Sequence, residues 1–400
     1  MLQPVIAGVI GAVTGFASSF ALVIAGLIAV GASPAEAASG LLALCLGQAV
    51  LAIALSWRYR LPLSFAWSTP GAALLIAAEG TTGSYAAAIG AFLVCGLLIA
   101  LTGLWGALGR AMTRIPMPLA GAMLAGILFP ICLAPVTAVI DEPLLAIPVV
   151  LVWLVLVRLA PRWAVPAAML VAVVGIAITA TGSGMLDAGL APALAVTLPA
   201  LDPLVIVSLG VPLFIVTMAG QNVPGFAVLR TFRFEPVPAR AILVASGGMT
   251  AAVAVLGGYA LNLAAITAAL MAGPDAHPDP RRRWVAPVAG GVTYVLLGLA
   301  AGVATAVVAA APPILIIAVA GLALLGALTT SLVSAFDAPE TRLTAAATLI
   351  VVASGVVVAG IGSAFWGLVV GALVLVVTTW RPTRGRESRD AVEVLDPQGP

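Results

Sequence analysis

Fourteen apolar segments occupy most of this sequence, and only short polar loops separate them. Hydrophobic residues make up 62% of the 400 residues and charged residues 8%, a composition that excludes a soluble domain. A helix needs about 20 apolar residues to cross the hydrocarbon core of a bilayer. The sequence therefore predicts an all-α polytopic membrane protein, with segments at approximately 4–31, 34–57, 61–79, 84–109, 117–139, 143–160, 163–181, 203–222, 240–256, 258–273, 285–310, 312–334, 342–360 and 363–380.

Every basic residue of the chain is an arginine that follows an even-numbered segment. Loops rich in basic residues remain in the cytoplasm, so the pattern predicts fourteen crossings with both termini cytoplasmic. The charged stretch 382–400 is predicted to be a disordered cytoplasmic tail. The arginines are Arg58, Arg60, Arg110, Arg114, Arg158, Arg162, Arg230, Arg233, Arg240, Arg281, Arg282, Arg283, Arg342, Arg381, Arg384, Arg386 and Arg389.

The third segment consists of two unlike pieces. Residues 61–67 are rich in β-favouring side chains, whereas residues 68–71, Ser-Thr-Pro-Gly, are typical of a helix start with a hydroxyl N-cap and an early proline. A helix over 70–79 would span about 15 Å, which is half of a bilayer core. Such a half-helix would point several unpaired N–H groups and its positive dipole end into the middle of the membrane.

The tenth segment contains a second break. Gly257, Gly258 and Tyr259 precede Asn262, a residue favoured at helix N-caps, and about eleven apolar residues follow. The third and tenth segments occupy matching positions if seven segments repeat. A pair of interrupted segments in corresponding positions is the best sequence indicator of a transporter binding site.

Few other polar side chains lie within the segments. Ser18 and Ser19 lie in the first segment, and Gln221 and Asn222 lie where the eighth is predicted to end. Polar groups at this depth cost free energy unless they find partners. They are predicted either to hydrogen-bond a substrate carboxylate or to join helices to one another.

Aromatic side chains near these breaks are candidates for stacking on an aromatic ring. Phe16, Phe20, Phe65 and Trp67 have the required faces and edges. The alternative is that they pack in the core or face the lipid.

Three stretches, 15–33, 61–75 and 218–230, resemble the benzoate/proton symporter (BenE) family, and the likeness covers nearly the whole chain. That family is related to nucleobase and sulfate-type anion transporters. The resemblance implies seven-plus-seven inverted repeats, with the substrate held between spans three and ten and with spans one and eight alongside. It also implies a core domain formed by residues 1–116 and 201–311, and a gate domain formed by residues 117–200 and 312–381.

Together, the breaks and the resemblance predict import of benzoate or a similar aromatic carboxylate by proton symport across a bacterial inner membrane. The alternatives are a transporter of the same fold for another small anion or a nucleobase and, more remotely, a membrane-embedded enzyme. No cofactor, metal or nucleic acid is expected, and the relatives suggest a homodimer. The predicted substrate-binding residues are Ser18, Ser19, Phe20, Phe65, Trp67, Ser68, Thr69, Pro70, Gly71, Gln221, Asn222, Leu261 and Asn262.

Two further expectations concern charge. In nucleobase relatives span eight supplies an acid that holds the substrate, whereas Gln221 and Asn222 are the nearest polar positions here. For proton coupling, Glu79 at the outer end of the half-helix is the best candidate, and Glu36 and Asp202 are weaker ones.

Overall fold

The computed structural model describes residues 2–106, 116–179, 194–264 and 266–379. The predicted tail and the loop that carries Arg110 and Arg114 lie outside the described residues. Helices α1 to α7 and strand β1 make up the first half, in the order α1 (Leu2–Ala29), α2 (Pro34–Tyr59), β1 (Phe65–Trp67), α3 (Thr69–Ala77), α4 (Tyr85–Leu104), α5 (Met117–Asp141), α6 (Pro143–Leu159) and α7 (Ala164–Thr179).

The second half repeats this order of elements. It contains one 29-residue helix, then a shorter helix, a strand with a half-helix, and five further helices. These are α8 (Pro203–Thr231), α9 (Ala239–Ala254), β2 (Leu261–Leu263), α10 (Ile266–Ala272), α11 (Val285–Leu299), α12 (Ala301–Ala310), α13 (Pro313–Phe336), α14 (Arg342–Ala353) and α15 (Ser363–Thr379).

Each predicted segment coincides with one helix, with one strand and half-helix, or, for 285–310, with the pair α11–α12, which is bent by 57°. Six helices (α1, α2, α4, α5, α8 and α13) are long and apolar enough to cross a membrane by themselves, and the bent pair adds a seventh. The structure therefore confirms a helical, multi-pass membrane protein with two broken segments. The number of fourteen crossings stays a prediction.

The packing relates the two halves to each other. Strand β1 pairs antiparallel with β2, and α5 packs against α13. Helix α2 of the first half packs against α11 of the second, and the equivalent contact with the halves exchanged is α9 against α4. Exchanging the halves thus converts each contact into another one that is present, as expected for the predicted inverted repeats.

The loop after α2, the loop after α10 and the start of α1 lie on one side of the described structure. The Arg60 guanidinium lies 4.1 Å from the centre of the Trp284 ring, and the Gln3 side chain donates to Asp275 O at 3.2 Å. On the other side, the Thr197 hydroxyl donates to Glu36 at 2.9 Å. This separation agrees with the predicted arrangement of charge, while the cytoplasmic position of the termini stays a prediction.

Two predicted boundaries are wrong. The helix after residue 342 ends at Ala353 rather than at 360, and the chain then turns through Gly355 and Gly360, both of which have positive φ. Helix α8 does not end at Asn222 but continues to Thr231. Gln221 and Asn222 therefore lie inside a helix.

Prolines explain how α8 continues. Pro212 and Pro224 each follow a π turn, at 206–210 and 218–222 respectively. A proline ring clashes with the carbonyl four residues earlier in a regular α-helix, and in both cases that carbonyl lies within the widened π turn. The π turn thus accommodates a residue that the sequence pattern treats as a helix end.

Candidate functional site

The two broken segments meet where β1 and β2 pair, and we call this place the crossing (residues 64–68 and 260–264). The pair aligns Phe65 with Leu263, Ala66 with Asn262 and Trp67 with Leu261. Backbone bonds from Ser68 N to Ala260 O and from Ala264 N to Ser64 O extend it at both ends. Extended backbone at membrane depth has to find its hydrogen bonds within the protein, and each strand supplies them for the other.

Side chains of neighbouring helices hold the strands in place. Ser56 of α2 exchanges hydrogen bonds with the backbone of Leu63, just before β1. Thr250 of α9 accepts from Leu261 N at 2.9 Å. The equivalent helices of the two halves therefore use a buried hydroxyl in the same way.

Helix α3 begins as predicted, at a serine cap. Ser68 Oγ accepts from Gly71 N at 3.1 Å, and Ser68 O accepts from Ala72 N at 2.9 Å. Pro70 has no N–H group. Among the described residues, the Thr69 N–H is thus the one donor at this helix end without a partner, and the prediction of several free N–H groups is wrong.

Two side chains that the sequence did not single out as site residues fix Ser68. The Thr217 hydroxyl of α8 donates to Ser68 Oγ at 2.9 Å, and the Tyr259 hydroxyl donates to Ser68 O at 3.1 Å. Both side chains are fully buried. Thr217 is one of two hydroxyl residues within the apolar run of α8, the other being Ser208, and this is the available signal for it, whereas the sequence marks Tyr259 only as part of a break.

The second π turn of α8 (residues 218–222) contacts both broken segments. Asn222 is fully buried, and its Oδ1 accepts from Leu263 N at 3.1 Å. A methyl group on Gly220 would lie 3.5 Å from Pro70 Cγ. Gln221 lies between these contacts and is half-buried, and its amide has no hydrogen-bond partner in the described part of the chain.

Asn262 lies in β2 and does not cap α10, so its prediction as a helix cap is wrong. The reason is that its backbone belongs to the strand pair, and α10 begins only at Ile266. The Asn262 Nδ2 donates to Leu263 O at 2.8 Å, while its Oδ1 is buried without a partner. Leu261, on the other face of the strand, lies against Gly47 of α2.

The aromatic residues of the predicted site form a compact cluster in the core. Trp67 makes edge-to-face contacts with Phe16 and Tyr294, each with ring centres 6.0 Å apart, and Phe16 stacks on Phe20 at 5.1 Å. These three rings and that of Tyr294 already contact one another. Phe65 is buried and pairs with Leu263 in the strand register.

The serines of α1 also have partners within the protein. Trp67 Nε1 donates to Ser19 Oγ at 3.0 Å. Ser18 and Ser19 both donate to Gly15 O, at 2.9 and 3.0 Å. A direct substrate contact by either hydroxyl stays a prediction, and donation to a carboxylate requires the bond to Gly15 O to open.

The acids predicted for proton coupling lie at the ends of elements. Glu79 is exposed, two residues beyond the end of α3. Glu36 belongs to a capping box with Ser33, and Asp202 caps α8. None of the three lies in the crossing, and the role of Glu79 stays a prediction.

A buried arginine holds the far end of α10. Arg283 is 6% exposed and donates to Ala272 O, His277 O and Pro278 O at 2.9, 2.7 and 3.3 Å. A cation beside the last carbonyl of a helix stabilises the negative end of its dipole. In the sequence pattern, Arg283 indicates only the side of the membrane, as one of three adjacent arginines.

A cavity of about 690 Å³ opens between α4, α8 and α9, beside the loop that joins α8 to α9. Its inner wall includes Met218, whose sulfur accepts from Asn222 Nδ2, and its rim includes Arg230 and Glu235. This volume lies within the range of small-molecule sites. The cavity is not the crossing itself, but it extends from the second π turn of α8 to the protein surface.

Two half-helices joined by a strand pair, inside a bundle of apolar helices, define a membrane transporter rather than an enzyme. The transmembrane domain of the cyanobacterial bicarbonate transporter BicA has the same fold, with a TM-score of 0.56 at 15% identity, over 94% of this chain and 98% of that one. The family model of the benzoate membrane transport protein (BenE) matches residues 1–377. The chain belongs to this family, as its sequence segments indicated.

Two relatives in the family are similar along most of their length. The inner membrane protein YdcO of Escherichia coli K12 is 38% identical over 383 residues, which cover 95% of this chain and 97% of the relative. The benzoate membrane transport protein of Acinetobacter baylyi ADP1 is 33% identical over 335 residues, which cover 83% and 84%.

Proposed function

We propose that this protein imports benzoate or a similar aromatic carboxylate together with a proton. The observation that carries the proposal is the set of unpartnered polar groups where α8 contacts both broken segments, namely Thr69 N–H, the Gln221 amide and Asn262 Oδ1. A relative named for benzoate transport supports the choice of substrate. We also propose that it lies in a bacterial inner membrane, which the name of the YdcO relative supports. The arginine pattern supports cytoplasmic termini, and a homodimer completes the proposal.

The carboxyl group of the substrate binds at the start of α3. Thr69 offers its N–H and its hydroxyl, and Gln221 offers an amide N–H, while the positive end of the α3 dipole points to the same place. Helix α10 has only seven residues, so its dipole contributes less than predicted. The aromatic ring lies in an apolar pocket, for which Phe20, Phe65 and Trp67 stay the predicted walls.

Transport follows from movement of a core domain against a gate domain. Contacts support the predicted division, because α5 packs against α13 and α14, and α15 packs against α14, whereas α1, α2 and α4 pack against α9 and α11. Residues 1–116 and 201–311 form the core, and residues 117–200 and 312–381 form the gate. Displacing one against the other exposes the crossing to each side of the membrane in turn.

The alternative substrates differ in what they require of α8. A nucleobase that is held by a carboxylate needs an acid on this helix, and the described acid nearest to it is Asp202, the N-cap, whose side chain accepts from Leu204 N. The fold shared with a bicarbonate transporter keeps another small anion as the second candidate.

Uptake of labelled benzoate into proteoliposomes tests the proposal. Liposomes without protein are the essential control, because neutral benzoic acid crosses bilayers unaided. We expect saturable uptake above the control that increases with outside acid and disappears with a protonophore. Saturable uptake that is indifferent to the gradient would reject proton coupling, and uptake equal to the control would reject benzoate and lead to tests of bicarbonate and other small anions.

A further inference from the structure

The crossing contains a hydrogen-bond acceptor that nothing in the described part of the chain satisfies. Asn262 Oδ1 is fully buried without a partner, whereas Asn262 Nδ2 donates to Leu263 O at 2.8 Å. Exchanging the amide oxygen and nitrogen would bring two oxygens together, so the Leu263 carbonyl fixes the orientation. Buried acceptors are nearly always hydrogen-bonded, and this one is free to accept from a donor outside the chain.

The chemistry of the site distinguishes the two forms of the substrate. A carboxylate offers only acceptors, so it would bond to Thr69 N–H and Gln221 but would leave Asn262 Oδ1 opposite a negative charge. A neutral carboxylic acid offers a carbonyl acceptor and an O–H donor. Only the acid matches both the free donors and the free acceptor.

We infer that the substrate occupies this site as the neutral acid, with its O–H donating to Asn262 Oδ1, so that the substrate itself carries the coupled proton. The inference rests on the proposed function. The carboxylate takes up a proton from the outer water, crosses as the acid, and loses the proton to the inner water. No proton is transferred to the protein.

The cost of protonation is moderate. For a carboxyl group with a pKa of about 4, the ionised form exceeds the neutral form about a thousandfold at pH 7. Binding of the neutral form therefore costs about 4 kcal/mol. Burying a carboxylate that has no counter-charge costs more. Strands β1 and β2 and the half-helices α3 and α10 contain no basic residue to compensate it.

The titratable groups around β2 do not alter this conclusion. The elements packed against β2 are β1, α2, α8 and α9. The charged groups of these elements lie at their ends (Glu36, Arg58, Arg230 and Arg240), and the other titratable groups are Cys45 and Tyr59 on α2 and Tyr259 next to β2.

Calorimetric titration of the full-length protein with benzoate tests the inference, in buffers of different ionisation enthalpy at pH 7. We expect uptake of about one proton per benzoate bound, and a Kd for total benzoate that rises about tenfold per pH unit above the substrate pKa. This profile should shift with the pKa of ring-substituted benzoates. Binding without proton uptake, or a profile fixed at one pKa for all substrates, would overturn the inference but keep the proposed function.

Neutral analogues and one pair of variants complete the test. Benzamide has a carbonyl and an N–H donor at every pH, so it should displace benzoate with a constant affinity. Asn262→Leu should weaken benzamide binding about fivefold, which corresponds to the loss of one hydrogen bond. The control is Thr344→Val, which removes a buried unpartnered hydroxyl elsewhere and should leave benzamide binding unchanged. Failure of benzamide to compete would refute the neutral-acid site, and absence of saturable benzoate binding would refute the proposed function as well.

Discussion

Two adjacent amides in α8 should respond in opposite ways to truncation. Gln221 has no partner in the described structure, so Gln221→Ala should change the free energy of unfolding by less than about 0.5 kcal/mol. In the proposed site, however, the substrate loses one hydrogen bond, which contributes about 1 kcal/mol. The KM for benzoate should therefore rise about fivefold.

Asn222→Ala should instead destabilise the fold. Asn222 Oδ1 is the acceptor for Leu263 N, so the truncation leaves a buried N–H without a partner. Such a group costs about 1–3 kcal/mol. Because Leu263 belongs to the strand pair, the crossing should also lose its shape, and transport should fall with stability.

Thermal unfolding in detergent and benzoate uptake at matched protein insertion measure the two effects separately. The expected result is a normal unfolding temperature with a raised KM for Gln221→Ala, and a lowered unfolding temperature for Asn222→Ala. Wild-type uptake kinetics in Gln221→Ala would refute the site assignment. Equal destabilisation by both variants would show that Gln221 has a structural partner.

Three further predictions concern the supports of the site. Gly71→Ala places a methyl group 2.9 Å from the Ser68 hydroxyl, so it should lower the free energy of unfolding by about 1–3 kcal/mol. Gly248→Ala has open space around it and should leave stability unchanged, so equal unfolding temperatures of the two variants would contradict this prediction. Arg283→Ala should reduce both stability and uptake because three carbonyls lose their donor, while the exposed Arg281→Ala should change neither. Trp67→Phe removes the indole N–H and should lower stability by about 1 kcal/mol, and an unchanged unfolding temperature would count against the α1 contact.

The start of α3 was predictable because capping is local chemistry. The order of a hydroxyl residue, a proline and a glycine within 68–71 is sufficient to specify a helix start. The number of free donors was not, because it depends on which side chain bends back to which N–H group. The serine cap uses one donor, and the proline lacks another.

Asn262 was misassigned as a helix cap because its conformation depends on a distant segment and not on local chemistry. Asparagine is favoured at helix caps, but a strand partner almost two hundred residues away determines its conformation here. Pairing between distant segments leaves no local pattern in a uniformly apolar sequence. The same reason hides Thr217 and Tyr259, whose hydroxyls are informative only once Ser68 is known to lie beside them.

The position of α8 explains why a site without a charged side chain can be coupled to movement. Thr217 attaches this helix to the cap of α3, and Asn222 attaches it to β2 one turn later. Between these two attachments, Gln221 is the polar side chain that is free to bind substrate. In the proposed site, a ligand would be linked to both broken segments through this one helix. A few hydrogen bonds of about 1 kcal/mol each would hold it weakly enough for release. In the proposed mechanism, transport therefore depends on keeping these attachments rigid, and not on increasing the affinity for the substrate.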